Sequence, residues 1–216
     1  MQRPKVFIIG FNKTATTTLH SFFLKNGYHS VHWSLPDGRF LAPVITTNVL
    51  NGRPALASID AFDVYSDLSF TDGTMHLEAN YFYRELYRDY PDAYFLLNWR
   101  NAESWLLSRK NHIGRQYADS FLKRAAASYG ANDTETETIW RHRHETFHDD
   151  VRTFFSNRPD AKFLDFDIQT DEPERLATWL TPDFDCDLAF WGKQNATKNK
   201  KKVSTSKRLR LRLRMR

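Results

Sequence analysis

A three-layer α/β fold, with helices on both faces of a mostly parallel central sheet, is predicted by two patterns in this chain. Short β-branched or aromatic runs alternate with segments at helical spacing, and two of those runs end in a turn that opens a helix. Length and composition agree. The chain has 216 residues, 41% of them hydrophobic and 15% aromatic, with 17 Phe and 6 Trp. That suffices for one core and is too apolar for disorder.

The first strand spans residues 5–10, where Val6-Phe7-Ile8-Ile9 ends at Gly10. Leu19, Phe22, Phe23 and Leu24 then recur at helical spacing until Asn26-Gly27 stops the helix. Residues 28–33 read as a second strand, ending at His32 and Trp33. Residues 34–60 carry three prolines and two glycines and read as loop with at most one short helix. Residues 60–67 place Asp60, Asp63 and Asp67 among apolar neighbours and read as a pocket-lining loop. A helix is expected over 76–89, a buried strand over 93–99, a helix over 103–112 and a longer amphipathic one over 136–156. A strand over 161–166 and a helix over 172–180, opened by Pro173, complete the series. Ligands of such sheets bind beyond the carboxyl ends of the strands.

The formal charge of +5 conceals an asymmetry. Residues 193–216 hold 11 Lys and Arg and no acid, which leaves 20 basic against 26 acidic residues in 1–192. The expected organisation is therefore an α/β domain over 1–192 and a flexible basic tail over 193–216. A body of net negative charge lacks the basic face of a nucleic-acid-binding domain, so no specific nucleic acid is expected. The tail could touch polyanions or an acidic membrane surface. A single cysteine, Cys186, excludes an internal disulfide framework and suits a cytoplasmic setting. The opening apolar run is about four residues, too short for a signal sequence or a membrane span.

Two strand-to-helix junctions carry the chemistry. The first reads Gly10-Phe11-Asn12-Lys13-Thr14-Ala15-Thr16-Thr17-Thr18-Leu19. A helix start offers unpaired N–H groups and a positive dipole end, Lys13 adds a full charge, and the threonines add hydroxyl donors, so the segment is an anion cradle. An NTPase phosphate loop ending at Lys13-Thr14 requires glycines where Phe7 and Asn12 stand, so this junction is P-loop-like without that signature. The second junction ends the 93–99 strand at Arg100, with Ser108 eight residues later on the following helix. A planar guanidinium and a hydroxyl can converge there on one phosphate.

Lys13-Thr14-Ala15-Thr16-Thr17 resembles the phosphosulfate-binding loop of sulfotransferases, with Ala15 in place of a glycine, and the Arg100-to-Ser108 spacing resembles their 3′-phosphate site. The run from Pro91 to His112 and the segment 60–70 are similar to the smaller bacterial-type sulfotransferase domains. The resemblance implies transfer of a sulfuryl group from 3′-phosphoadenosine 5′-phosphosulfate to a hydroxyl or amine of a small-molecule or carbohydrate acceptor, without a metal, leaving adenosine 3′,5′-bisphosphate. It implies that Lys13 stabilises the leaving oxygen, that Thr16 and Thr17, with Thr14 and Thr18, hold the 5′-phosphosulfate, and that Arg100 and Ser108 read the 3′-phosphate. His32 and Asp67 are the candidate bases. If positive φ is needed at Ala15, the alanine is strained.

Two other chemistries fit parts of the chain. A nucleotide-dependent small-molecule kinase would use the same kind of cradle but lacks the glycines named above. His144-Glu145-Thr146-Phe147-His148 is a literal H-E-x-x-H on an expected helix, the pattern of zinc hydrolases, but it leaves both phosphate junctions unexplained. Its histidines are otherwise expected on a helix face near the acceptor pocket or solvent.

Overall fold

The structure is a computed structural model that describes residues 3–114 and 117–192. The basic tail proposed for 193–216 lies outside the described residues. The chain runs β1 (Val6–Ile8), α1 (Thr16–Lys25), β2 (Ser30–His32), α2 (Leu41–Leu50), β3 (Val64–Ser66), β4 (Ser69–Thr71) and β5 (His76–Glu78). It continues through α3 (Tyr83–Asp89), β6 (Tyr94–Trp99), α4 (Ala102–Lys110), α5 (Phe121–Tyr129), α6 (Asp133–Ser156), β7 (Lys162–Asp167) and α7 (Pro173–Leu180).

Five strands pair in parallel in the order β2-β3-β1-β6-β7. Their side chains alternate between two faces, as the period of a strand requires. Val6, Ile8, Val64, Tyr94 and Leu96 face α1 and α7, meeting Leu19, Phe22, Leu176 and Leu180. Phe7, Ile9, Tyr65, Phe95 and Leu97 face the other layer, meeting Ile45, Leu86, Trp105, Leu122, Trp140 and Val151 from α2 to α6. Each such fully buried side chain contributes roughly 1.5–3 kcal/mol. From β1 the chain first builds β2 and β3 on one side and then crosses to β6 on the other. That reversal opens a crevice at the carboxyl ends of β1 and its neighbours.

The three-layer α/β architecture expected from the alternation is present, the one short helix allowed within 34–60 is α2, and three local differences lie elsewhere. The prolines of 34–60 do not prevent α2, because Pro43 is its third residue, where an N–H has no helical partner to lose. The expected pocket loop over 60–67 contains β3, a central strand too short to show a period. The expected helix over 76–89 begins as a strand: Asp72 Oδ1 accepts from the N–H groups of Thr74 and Met75 at 2.8 and 3.0 Å, and Gly73 at φ 100° completes the turn of a β4–β5 hairpin. Finally, α5 is an additional helix, started by Ser120 accepting from Lys123 N–H and ended by Gly130 at φ 64°. A capping box of Asn132 and Glu135 starts α6 at Asp133, slightly before residue 136.

Candidate active site

The loop between β1 and α1 is held from outside by its carbonyl groups. Asn80 Nδ2 donates to the carbonyls of Ile9 and Gly10, each at 2.8 Å, and Trp105 Nε1 donates to that of Asn12 at 2.9 Å. Thr14 Oγ1 donates to the Phe11 carbonyl, and Asn98 Nδ2 donates to both the carbonyl and hydroxyl of Thr14 at 2.7 Å. Asn98 Oδ1 in turn accepts from Gly10 N–H at 2.9 Å. Gly10 is obligatory at this approach, since a Cβ there would lie 1.9 Å from the Asn98 carbonyl oxygen.

With the carbonyls turned into the scaffold, the N–H groups of Lys13 through Thr17 have no acceptor among the described residues. Lys13 at φ 69° and Ala15 at φ 64° give the loop its curvature. Ala15, which caps α1, therefore does adopt the left-handed conformation in which an alanine is strained. Such a concave row of donors beside a lysine has the chemistry to hold an anion. Burial lowers the pKa of Lys13, Asp67 opposes this, and the Arg100 charge adds to it, so all three groups share one electrostatic environment.

At the second junction Arg100 follows β6. Its Nε donates to Ser104 Oγ at 2.8 Å, and Ser104 lies one turn before Ser108 on the same face of α4. Anchored through Nε, the guanidinium has no hydrogen-bond partner at its two terminal nitrogens among the described residues. Burial lowers the Arg100 pKa, with Asp167 opposing.

His32 ends β2, and Asp67 directly follows the adjacent β3. His32 Nε2 lies 3.5 Å from Asp67 Oδ2 and within 3.2 and 3.4 Å of the Thr16 and Thr17 hydroxyls. Burial, helped by the Lys13 charge and opposed by a hydrogen bond to its own backbone, holds His32 at about 4. Burial raises Asp67 to about 7; Glu78 adds to the rise, while Lys13 and Arg109 oppose it. Asp67 stands at φ 53°, and its Oδ1 is buried with no hydrogen-bond partner among the described residues. Of the five non-glycine residues at positive φ among those described, Lys13, Ala15, Trp33 and Asp67 follow the three strands β1, β2 and β3. Backbone strain of this kind gathers at ligand sites.

Residues 5–165 match a family model described as a sulfotransferase domain. The chain belongs to that family. No curated protein matches it. A solved structure, titled as an unliganded sugar kinase from Janibacter sp. HTCC2649, is 15% identical, with 89% of this chain and 100% of that chain covered. Its TM-score of 0.41 is too low to bear on the fold or function of this chain.

Within the sulfotransferase domain, the residues picked from sequence fall into three groups. Lys13, Thr16, Thr17, His32 and Asp67 come together at the ends of β1, β2 and β3, and Arg100 reaches the same field from β6. Ser108 lies on α4, one turn beyond the serine that anchors Arg100. Thr14 differs: it is fully buried and its hydroxyl is taken up by the Phe11 carbonyl and Asn98, which leaves its backbone N–H as its part of the donor row. Thr18 is also buried.

Sequence reasoning missed Asn98, Asn80 and Ser104. Asn98 gave a signal in being the one polar residue of an otherwise apolar β6. It also missed the buried pair of Glu78 and Arg109. Burial would raise Glu78, but Arg109, His76 and Ser69 hold it at about 2, leaving a fixed negative charge that acts on Asp67. His112 follows α4, where burial and the charges of Lys13, Arg124 and His32 lower it to about 4. The H-E-x-x-H histidines do not face solvent. His144 and His148 are buried on the inner face of α6, against Trp105 and Trp99, while Glu145 is exposed, and among the described residues no group of three or more His, Cys, Asp or Glu could hold a metal ion. Among those residues, no helix is long and apolar enough to cross a membrane.

Proposed function

We propose that this sulfotransferase-family chain takes its sulfuryl group from 3′-phosphoadenosine 5′-phosphosulfate and passes it to a hydroxyl or amine of a small-molecule or carbohydrate acceptor. The observation that carries the reading is the pairing of two anion sites on one sheet edge. One is the donor row of Lys13 to Thr17 with the Lys13 ammonium, and the other is the anchored Arg100 fork beside Ser104 and Ser108. A donor with phosphate groups at both the 5′ and 3′ positions of one adenosine needs two such sites, and a nucleoside triphosphate needs only the first.

The donor supplies an activated sulfur whose bond to a phosphate oxygen breaks as the acceptor oxygen or nitrogen bonds to it. The protein's part is positioning and charge. The backbone N–H groups of 13–17 and the Thr16 and Thr17 hydroxyls hold the 5′ end, and Lys13 meets the negative charge gathering on the departing oxygen. Asp67, raised toward neutrality, accepts the acceptor proton on its carboxylate. Neutral His32 fixes the orientation of that carboxylate and links it to the threonine hydroxyls. Fit to the donor is supported by the unpaired N–H row, and fit to an acceptor's O–H or N–H by the unpaired Asp67 Oδ1.

The test is turnover of the radiolabelled donor against panels of phenols, sugars and amines. The reading expects label to pass to at least one acceptor class without added metal, and Lys13→Ala to reduce that rate by about 10²-fold or more. Label transfer from ATP instead, with none from the phosphosulfate, refutes it.

A further inference from the structure

The H-E-x-x-H histidines need an occupation, because two buried imidazoles are costly without one. His144 is 5% exposed, and its Nε2 lies 3.1 Å from the backbone carbonyl oxygen of Arg100. A carbonyl can only accept, so the ring is the Nε2–H tautomer and donates. The same ring packs against Trp105, with centroids 4.8 Å apart. Trp105 is the residue whose indole N–H donates to the Asn12 carbonyl in the first junction. Two adjoining rings, one from α6 and one from α4, therefore each take one carbonyl from one of the two anion-binding junctions. His148 closes the set from behind, edge-on to His144 at 4.2 Å and packed near Phe11 and Trp99, the neighbours of the two junctions.

We infer that His144 is a positioning residue for the 3′-phosphate site, acting through the Arg100 backbone, and that with Trp105 it sets the distance between the two anion-binding junctions. The inference rests on the cofactor reading above. A hydrogen bond from His144 fixes the peptide after Arg100, and Ser104 fixes the guanidinium from its other end, so the fork is held before a ligand arrives. Without the ring donor, the half-buried Arg100 carbonyl loses its partner and its peptide is free to rotate, which moves the fork without touching the 5′ cradle. Burial lowers His144 to about 4, which keeps the ring neutral and its single N–H committed to this carbonyl.

Calorimetric titration of the full chain with adenosine 3′,5′-bisphosphate and with adenosine 5′-monophosphate separates the possibilities. The ratio of the two affinities measures the 3′-phosphate site alone. His144→Phe keeps a ring against Trp105 and removes the donor; it should lower that ratio about tenfold, the worth of one lost hydrogen bond, and leave monophosphate affinity nearly unchanged. His144→Gln restores an N–H at similar reach and should retain the wild-type ratio. A folded His144→Phe protein with the wild-type ratio overturns the inference. If that variant does not fold, His144→Gln decides: a retained ratio supports the donor role, and a lost one overturns it. A wild-type protein that does not distinguish the two nucleotides defeats the cofactor reading itself, and the inference with it.

Discussion

His32 Nε2 stands 3.5 Å from Asp67 Oδ2, joining the last residue of one parallel strand to the residue just after its neighbour. The contact places a neutral imidazole against a carboxyl whose ionisation is opposed by burial and by Glu78. A group titrating near 7 can hold a proton or release one at physiological pH, which is what general-base chemistry asks of it.

Activity should therefore rise with pH. The expected kcat/KM profile climbs through a midpoint near the Asp67 value of about 7, and Asp67→Asn should cost about 10²- to 10⁴-fold in kcat. Stability moves the other way. The folded-state pKa of Asp67 lies above its ordinary value of 3.8, so its contribution is complete below that value and is lost as pH rises through about 7. Thermal melts should show Asp67→Asn more stable than wild type at pH 8, with the difference closing towards pH 4.

His32 has the opposite sign. Held at about 4 against an ordinary 6.5, it contributes stability above 6.5 that is lost as pH falls through about 4. His20, His112 and His144 are depressed to similar values by burial, so the melting temperature should drop steeply over that window. Melts from pH 7 to 4 on wild type and His32→Gln check this; the variant should lose part of the slope.

Ala15→Gly should stabilise the protein. At φ 64° the alanine methyl crowds its own backbone, and glycine is also the better residue at a helix N-cap. The gain should be about 1 kcal/mol, or a rise of roughly 2–4 °C in Tm for a chain of this size. Calorimetric melts measure it.

Asn98→Leu should loosen the cradle. It removes the acceptor of Gly10 N–H and the donor to the Thr14 carbonyl, both buried, at a cost of about 2–4 kcal/mol. Urea melts should show the loss, and hydrogen exchange should quicken in residues 10–15 ahead of the rest of the sheet.

The layers of the fold were legible because Val6 to Ile9 and Tyr94 to Trp99 are long enough to show a buried strand, and because Lys13 and Arg100 directly follow such strands. β3 was not legible: three residues flanked by acids give no period, and only pairing with β1 and β2 makes Val64–Ser66 a strand. The β4–β5 hairpin was signalled by Asp72-Gly73 and outweighed by the apolar spacing that follows it, of which only the later part is helical. His32 and Asp67 could be picked separately, each at a strand end, but their contact depends on the adjacency of β2 and β3, which no local pattern encodes. Asn98, Asn80 and Ser104 act through atoms far away in sequence or through one rotamer, and sequence carries little sign of either.

If the two proposed anion sites on this sheet edge hold one adenosine carrying both a 5′- and a 3′-phosphate, titration of the wild-type chain with adenosine 3′,5′-bisphosphate, followed by Lys13→Ala and Arg100→Ala, will show it. Binding should weaken at least about tenfold when the 3′-phosphate is omitted, Arg100→Ala should abolish this preference, and Lys13→Ala should weaken both ligands alike. A folded wild-type protein that binds the bisphosphate no better than adenosine 5′-monophosphate, or a preference untouched by Arg100→Ala, would contradict it.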